Sequence, residues 1–425
     1  MTRRRVWITG LGLVTPIGTG RDPFWAGVHA ARSTVRRIDR FDPSPFRSQV
    51  AAQIDDFDPL DHMDARTARQ LDRFSQFGLA AGQLALADAG LAVESAGTGK
   101  GAGADRDRFG VYLGSALGGI AYAELQHERY IERGIKAVAP NLALAVFGGA
   151  APANLGIALD LRGPILSTAN SCASGAVALG EALRAIRDGT IDAAIAGGAE
   201  VPLSPLAFGA FDIIRALSSG SNDTPERAAR PFDADRDGFV MGEAVGLLVL
   251  EAEEIAERRG ATPYAELMGY GSTSDAHHMV QPRPDGREAA RAVGIALADA
   301  GVGADELDYV NAHASSTPLG DTAEARALAL ALGASAARMP VSGTKALYGH
   351  PLGASSALEA SICALAIRDG WAPGTANLET PDPSVTEHLP GLLAEGRPGR
   401  YDRVLSTSFG FGGLNAALVF GAVGE

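Results

Sequence analysis

The chain has 425 residues, 46% of them hydrophobic, and a net charge of −13 at pH 7. That is ample apolar material for two or three domains or one large duplicated unit, and the acidic balance, with no long basic run, argues against a nucleic-acid or anionic-membrane surface. Two cysteines, Cys172 and Cys363, are too few for a disulfide framework, so both are read as reduced thiols of a cytoplasmic protein.

The N-terminal stretch MTRRRVWITGLGLVTPIG has basic and apolar parts, but the apolar run is short, broken by Gly10 and Gly12, and has no small-x-small cleavage site. It is therefore not read as a signal peptide: Val6 to Thr9, followed by a glycine turn, is expected as a first buried strand. A helix is expected from Phe74 to Ala89. The stretch GTGKGAGADRD (97–107) lacks phosphate-loop spacing because Gly101 follows Lys100, so it reads as a polar insertion before the strand-like FGVYLGSALGG. Residues 142–161 are apolar but interrupted by Pro152, Asn154 and Asp160, which leaves no membrane span of about 20 residues. Further on come a helix opened by Cys172, then AAIAGGAE and VGLLVLE as strands. DADRDG (233–238) has Ala244 where a calcium loop needs glutamate, and reads as a structured turn.

A charged helix in EAEEIAERRG closes the first half, so the division is placed at 1–253 and 254–425. The second half repeats the theme with YAELMGYGS, a helix from Glu288 to Ala300, YVNAHASST, MPVSGTK with its helix, VLSTSFGFGG and NAALVF. Alternating strands and helices imply a layered α/β protein with mostly parallel strands, and each half needs the other to cover its sheet. The duplication is visible in the words themselves. STANSCASGAVALGEALRAIRDG runs from Ser167 to Gly189, and SGTKALYGHPLGASSALEASICALAIRDG from Ser342 to Gly370.

The reactive residues stand at the turns of these copies. Cys172 precedes a helix start, where the partial positive charge of a helix N-terminus favours a thiolate. His313 follows the strand-like DYVN, and His350 immediately precedes the second repeat's helix. Of 37 basic residues only Lys100, Lys136 and Lys345 are lysine; Lys345, inside the second copy, is where a compact ammonium is needed and a guanidinium would not serve. Gly410, Gly412 and Gly413, around Phe409 and Phe411, allow backbone N–H groups to approach a ligand as an oxyanion hole. No Cys/His cluster has zinc spacing, so no catalytic metal is expected.

ITGLGLVTPIG, LRGPILSTANSCASG, RALS with ARPFDADRDGFVMGE, NAHASSTPLGDTAEA, SGTKALYGHPLGA, NLETPDP and SFGFGGLN together resemble the β-ketoacyl-acyl-carrier-protein synthases of the thiolase superfamily, most closely the type II elongating enzymes, over essentially the whole chain. The resemblance implies a thiolase fold, with duplicated βαβαβαββ halves in a five-layered αβαβα arrangement, and a cofactor-free, metal-free decarboxylative condensation. It implies that Cys172 takes an acyl chain as a thioester and that His313 and His350 support decarboxylation of malonyl carrier protein and stabilise the enolate. Lys345 orders the centre with Glu324 as its carboxylate, Phe409 is the aromatic gate, and the N–H groups of Cys172 and Phe409 hold the oxyanion. Because a thiolate needs no general base, both histidines are expected to be neutral. Leu117, Phe211, Ser315, Thr317 and Phe411 are implied substrate contacts. Arg66, Arg69 and Arg215 are implied docking residues for an acyl carrier protein, the partner expected alongside acyl and malonyl thioesters. The assembly implied is a homodimer, or a heterodimer with a chain-length partner.

Gln70 in place of a lysine thins the expected carrier-docking surface, and two further departures from the family pattern bear on substrate choice: Ala314 and Ser315 where glycine and threonine are usual, and Asn170 and Ser171 where a Thr-Ala pair is common. They keep a type II polyketide or polyene ketosynthase open as an alternative to fatty-acid elongation. Retention of Cys172, His313, Lys345 and His350 argues against a noncatalytic chain-length partner.

Overall fold

The computed structural model describes residues 3–91 and 105–424; Lys100 and most of the stretch 97–107 lie outside them. The elements that position the site are, in chain order, β1 (Val6–Thr15), α1 (Arg73–Asp88), β2 (Phe109–Gly114), α2 (Ala150–Leu159), β3 (Ile165–Thr168), α3 (Ser174–Arg187), β4 (Ala193–Glu200) and β5 (Ala244–Ala252). The second half continues with β6 (Ala265–Ser274), α4 (Arg287–Ala300), β7 (Tyr309–Asn311), α5 (Pro318–Leu332), β8 (Val341–Ser342), α6 (Ser355–Asp369), β9 (Arg403–Gly410) and β10 (Leu414–Gly421).

Strands run β3-β2-β4-β5-β1 in the first half and β8-β7-β9-β10-β6 in the second, the same order twice. The two sheets meet where Trp7 and Ile8 of β1 pair with Glu266 and Ala265 of β6. Helices α3 and α6 pack on each other and on strands of both halves, while α1 with α2 and α4 with α5 cover the outer faces. This is the five-layered thiolase arrangement, and it puts the two repeat helices in the middle layer. Burial on all sides explains their sequence: α6 is buried continuously from Ser355 to Ala366, and apart from Glu359 that stretch holds only small and apolar side chains.

Two expectations need correction. The strands are not mostly parallel: β2 with β3 and β4, and β7 with β8 and β9, are parallel, but β4–β5, β5–β1, β9–β10 and β10–β6 are antiparallel. The connection from β9 to β10 is a tight turn with Gly412 and Gly413 at φ 82 and 67, too short for the crossover that a parallel pair requires. Nor does the first strand end at Thr9. It continues to Thr15 because Gly10 and Gly12 serve close packing and not a turn: a Cβ there would lie 2.3 Å from the Ala85 carbonyl oxygen and 1.8 Å from that of Ala81, on α1. Gly269 and Gly271 of β6 meet α4 in the same way, at 2.3 Å from Ala296 O and 2.1 Å from Ala292 O. The duplication thus extends to how each outer helix seats on its sheet.

Asp233, in the DADRDG turn, is buried and accepts the N–H groups of Glu379 (2.8 Å) and Thr380 (2.7 Å), a structural role. Among the described residues, no helix is long and apolar enough to cross a membrane. Both cysteines are free and buried.

Candidate active site

Cys172 lies in a 3-10 turn (Ser171–Ala173) that feeds directly into α3. Ser171 has φ 52, a left-handed backbone that a side chain disfavours. Local hydrogen bonds hold it: the Asn170 N–H donates to Ser174 Oγ (2.8 Å), and that hydroxyl donates to the Ser171 carbonyl (2.6 Å). The result is an elbow that carries the buried Cys172 side chain at the start of α3. Burial pushes the Cys172 thiol up, while the Ser171 hydroxyl, the Lys345 charge and the Phe411 N–H pull it down. The expected low thiol pKa is therefore not the balance in this site: desolvation outweighs the favourable contacts.

His350 Nε2 lies 3.1 Å from Cys172 Sγ, and its Nδ1 2.7 Å from Ser355 Oγ. A hydroxyl can donate or accept, so Ser355 accommodates either tautomer of His350. The His313 ring stands edge-on to that of His350, with centroids 5.2 Å apart. Lys345 Nζ is 3.4 Å from His313 Nδ1 and donates to the His313 carbonyl. An ammonium only donates, so Nδ1 accepts and the His313 proton sits on Nε2. Burial, then the Lys345 charge, hold both histidines well below the usual imidazole range. They are neutral at pH 7 because of burial and the Lys345 charge, and not, as expected, because a thiolate spares them the work of a general base.

The carboxylate paired with Lys345 is Glu359, not Glu324. Glu324 instead accepts the N–H groups of His313 and Ala314, both at 2.7 Å, and the Thr407 hydroxyl at 2.7 Å, so it fixes the backbone that carries His313. Burial raises the Glu324 carboxyl to about 7 against those donors. Glu359 was missed because it lies 14 residues beyond Lys345, inside the following helix. Its signal was a single carboxylate amid the otherwise small and apolar residues of the buried stretch 355–366 of α6.

The chain-specific Ala314 has φ 42 and is fully buried. A Cβ added at Gly343 would lie 2.3 Å from the Ala314 Cβ. Gly343→Ala should therefore destabilise by about 1–3 kcal/mol through overpacking, with Ala314→Gly in the same chain restoring most of the loss. Urea denaturation of the two variants checks this, and no recovery in the double variant would refute the contact.

Leu117, Phe211 and Phe411 join Phe208, Phe239 and Leu352 in an apolar cluster that includes Cys172. The Phe211 and Phe411 rings stack at 6.2 Å. Phe409, half-buried in β9, lies 6.4 Å from the His313 ring. The N–H turned towards the sulfur is that of Phe411, and a Cβ at Gly410 would come within 3.0 Å of the Cys172 nitrogen. Ser315 and Thr317 are half-buried, their hydroxyls 2.8 Å apart, and Thr317 caps α5 through the Gly320 N–H. Arg66, Arg69 and Arg215 are exposed, the first two on one short helix. Spacing alone concealed one further grouping: the sulfur and one nitrogen of each histidine lie within 4.8 Å of one another, a potential metal-ligand set. The neighbouring Lys345 charge opposes a divalent cation there.

The chain matches the family "Beta-ketoacyl synthase, N-terminal domain" over residues 3–256 and "Beta-ketoacyl synthase, C-terminal domain" over 264–379. It belongs to the β-ketoacyl synthase family. This β-ketoacyl synthase is 40% identical over 423 residues to a 3-oxoacyl-[acyl-carrier-protein] synthase 2 of Coxiella burnetii, covering 100% of both chains. It resembles the crystal structure of a β-ketoacyl synthase from Burkholderia phymatum with TM-score 0.90 at 37% identity, over 99% of this chain and 100% of that one. A type II polyketide synthase ketosynthase, solved in complex with its acyl-carrier protein, is similar at TM-score 0.89 and 32% identity, over 99% and 100%. The β-ketoacyl synthase described here is accordingly an acyl-transferring enzyme.

Proposed function

We propose that this enzyme is a 3-oxoacyl-[acyl-carrier-protein] synthase of fatty-acid elongation. The observation that carries the reading is the 3.1 Å approach of His350 Nε2 to Cys172 Sγ, with the neutral His313 edge-on beside it. With Ser355 accepting from Nδ1, Nε2 takes the thiol proton as Cys172 attacks an acyl carrier thioester, and returns it to the departing carrier thiolate. The acyl chain then lies along Leu117, Phe211 and Phe411.

Malonyl carrier protein enters with its pantetheine arm at Ser315 and Thr317. As carbon dioxide leaves, the electrons of the broken C–C bond form an enolate, whose oxygen receives hydrogen bonds from His313 and, in its other tautomer, His350. The enolate carbon attacks the Cys172 thioester while backbone N–H groups at Cys172 and Phe411, the latter in place of the expected Phe409, hold the tetrahedral oxyanion. Collapse releases 3-oxoacyl carrier protein and the Cys172 thiolate, which regains one proton from solvent. Phe409 gates the second substrate, and Lys345 with Glu359 sets the field around His313. Relatives at about 40% identity over the full chain favour fatty-acid elongation over the polyketide reading. Intact-protein mass spectrometry with a panel of acyl carrier proteins, followed by peptide mapping, tests the reading: a thioester on Cys172 is expected, and no adduct with any donor would overturn it.

Carrier docking is assigned to Arg66, Arg69 and Arg215, since an acidic protein meeting an acidic carrier must concentrate its positive charge locally. The working unit is proposed as a cytoplasmic homodimer. Strand β3 is an edge of its sheet, with Ile165 46% and Leu166 38% exposed, and α2 beside it leaves Ile157 80% exposed. Such an edge invites pairing with a second copy about a two-fold axis. Ile165→Glu should convert the dimer to monomer in light scattering; a wild-type protein already monomeric at micromolar concentration would refute the assembly.

A further inference from the structure

Glu200, the last residue of β4, has no place in the chemistry above, yet it is fully buried beside the reacting centre. Its two oxygens accept four hydrogen bonds. Oε2 takes the N–H of Ala116 (2.7 Å) and of Gly353 (3.0 Å); Oε1 takes the N–H of Leu117 (3.1 Å) and the Ser115 hydroxyl (3.1 Å). Ser115 Oγ in turn accepts the Gly118 N–H at 2.9 Å. One carboxylate therefore ties the loop after β2, in the first half, to the turn before α6, in the second.

The internal repeat explains what that turn is. Aligning the two copies on their shared Arg-Asp-Gly ends sets Ser174 on Ser355, Cys172 on Gly353 and Ser171 on Leu352. Each copy has a 3-10 turn at this point, Ser171–Ala173 and Leu352–Ala354. Each has a left-handed residue at its start, Ser171 at φ 52 and Leu352 at φ 34. The second elbow carries no nucleophile. It carries His350 two residues earlier and Leu352 in the apolar cluster around Cys172. A left-handed leucine persists only where its surroundings over-determine it. Here the next N–H is gripped by Glu200, and a Cβ at Gly353 would lie 2.6 Å from the Ala116 nitrogen and 2.8 Å from Glu200 Oε2.

We propose that Glu200 is a positioning residue of the condensation: it clamps the second elbow, and with it His350, against the loop that presents Leu117 to the acyl chain. The inference rests on the condensation reading. Burial raises the Glu200 carboxyl to about 7 while its donors favour the charged form. A carboxylic acid would turn an O–H towards backbone N–H groups that only donate, so the ionised form is the one this cradle fits.

Glu200→Gln turns an amide NH2 towards those donors and breaks two of the four bonds at once. We expect kcat for condensation to fall about a hundredfold, as for angstrom-scale misplacement of a catalytic group, with KM for the carrier substrates within about threefold because the docking surface is untouched. The ratio of long-chain to short-chain acyl transfer should shift as Leu117 is released. Ser115→Ala removes one donor, spares the carboxylate, and should move the same quantities less far; it decides the question if Glu200→Gln does not fold. Amide hydrogen exchange gives a readout independent of turnover: residues 115–118 and 352–354 should lose protection together in either variant. Wild-type kcat and chain-length ratio in folded variants, or exchange in one segment without the other, would overturn the clamp. A wild-type enzyme that forms no acyl adduct would instead sink the condensation reading, and the exchange result would still judge the clamp.

Discussion

Cys172→Ala should yield a folded protein that forms no acyl-enzyme and has lost condensation by on the order of 10⁴-fold or more, since no second nucleophile stands at the elbow to replace it. The sulfur's polar side-chain neighbours are the Ser171 hydroxyl at 3.7 Å and His350 Nε2 at 3.1 Å, with the Phe411 N–H also turned towards it. The backbone geometry of the elbow, by contrast, is held by Ser174 and Asn170, which the substitution leaves intact. Truncation of one atom in a packed site costs stability on the order of 1 kcal/mol, so circular dichroism and the denaturation midpoint should be little changed. Stoichiometric acyl-thioester on the variant, measured by intact mass, would transfer the nucleophile's role elsewhere.

Glu359→Ala should be the most destabilising single substitution near the site. It leaves the Lys345 ammonium buried without its carboxylate, a loss of about 3–5 kcal/mol for a broken buried pair. Both side chains are almost wholly buried, at 1% and 0% exposure, so solvent cannot substitute for the missing partner. Adding Lys345→Met to the same chain removes the orphaned charge and should recover a large part of the stability while abolishing the field around His313. A double-mutant cycle by urea denaturation checks this coupling. Independent, additive losses would mean that the pair is not coupled. The parallel cycle with Glu324 should show weaker coupling to Lys345, because Glu324 serves the N–H groups of His313 and Ala314.

Much of the molecule is legible in its sequence because the relevant signals are local. The copies around Cys172 and His350, the helices near 74–89 and 288–300, and the Gly-rich turn before β10 each follow from residues within one or two turns of each other. Reactive side chains at the junctions of a duplicated frame pointed to one centre between the halves, and the motifs in family order carried the chemistry. Where local reading misled, the cause was a distant neighbour. Gly10 and Gly12 have the composition of a turn, but α1, contributed by residues 73–88, lies so close that only glycine fits within a continuing strand.

What only the tertiary structure decided is which charges meet and what their burial does to them. The family pattern pointed to Glu324 as the partner of Lys345; the seat of α6 in the middle layer, facing the turn that carries Lys345, selects Glu359. A helix start ahead of Cys172 promised a low thiol pKa, but desolvation, a property of everything packed around the sulfur, sets the opposite direction. Glu200 ends an unremarkable strand and gains its meaning only when β2, β4 and the second elbow converge on it. The sequence by itself determined the frame and singled out Cys172 and the two histidines as candidates, since residue type and repeat position suffice for that. The partners, protonation and clamps were decided by folding, because Coulomb energy and desolvation depend on distances that the chain order does not contain.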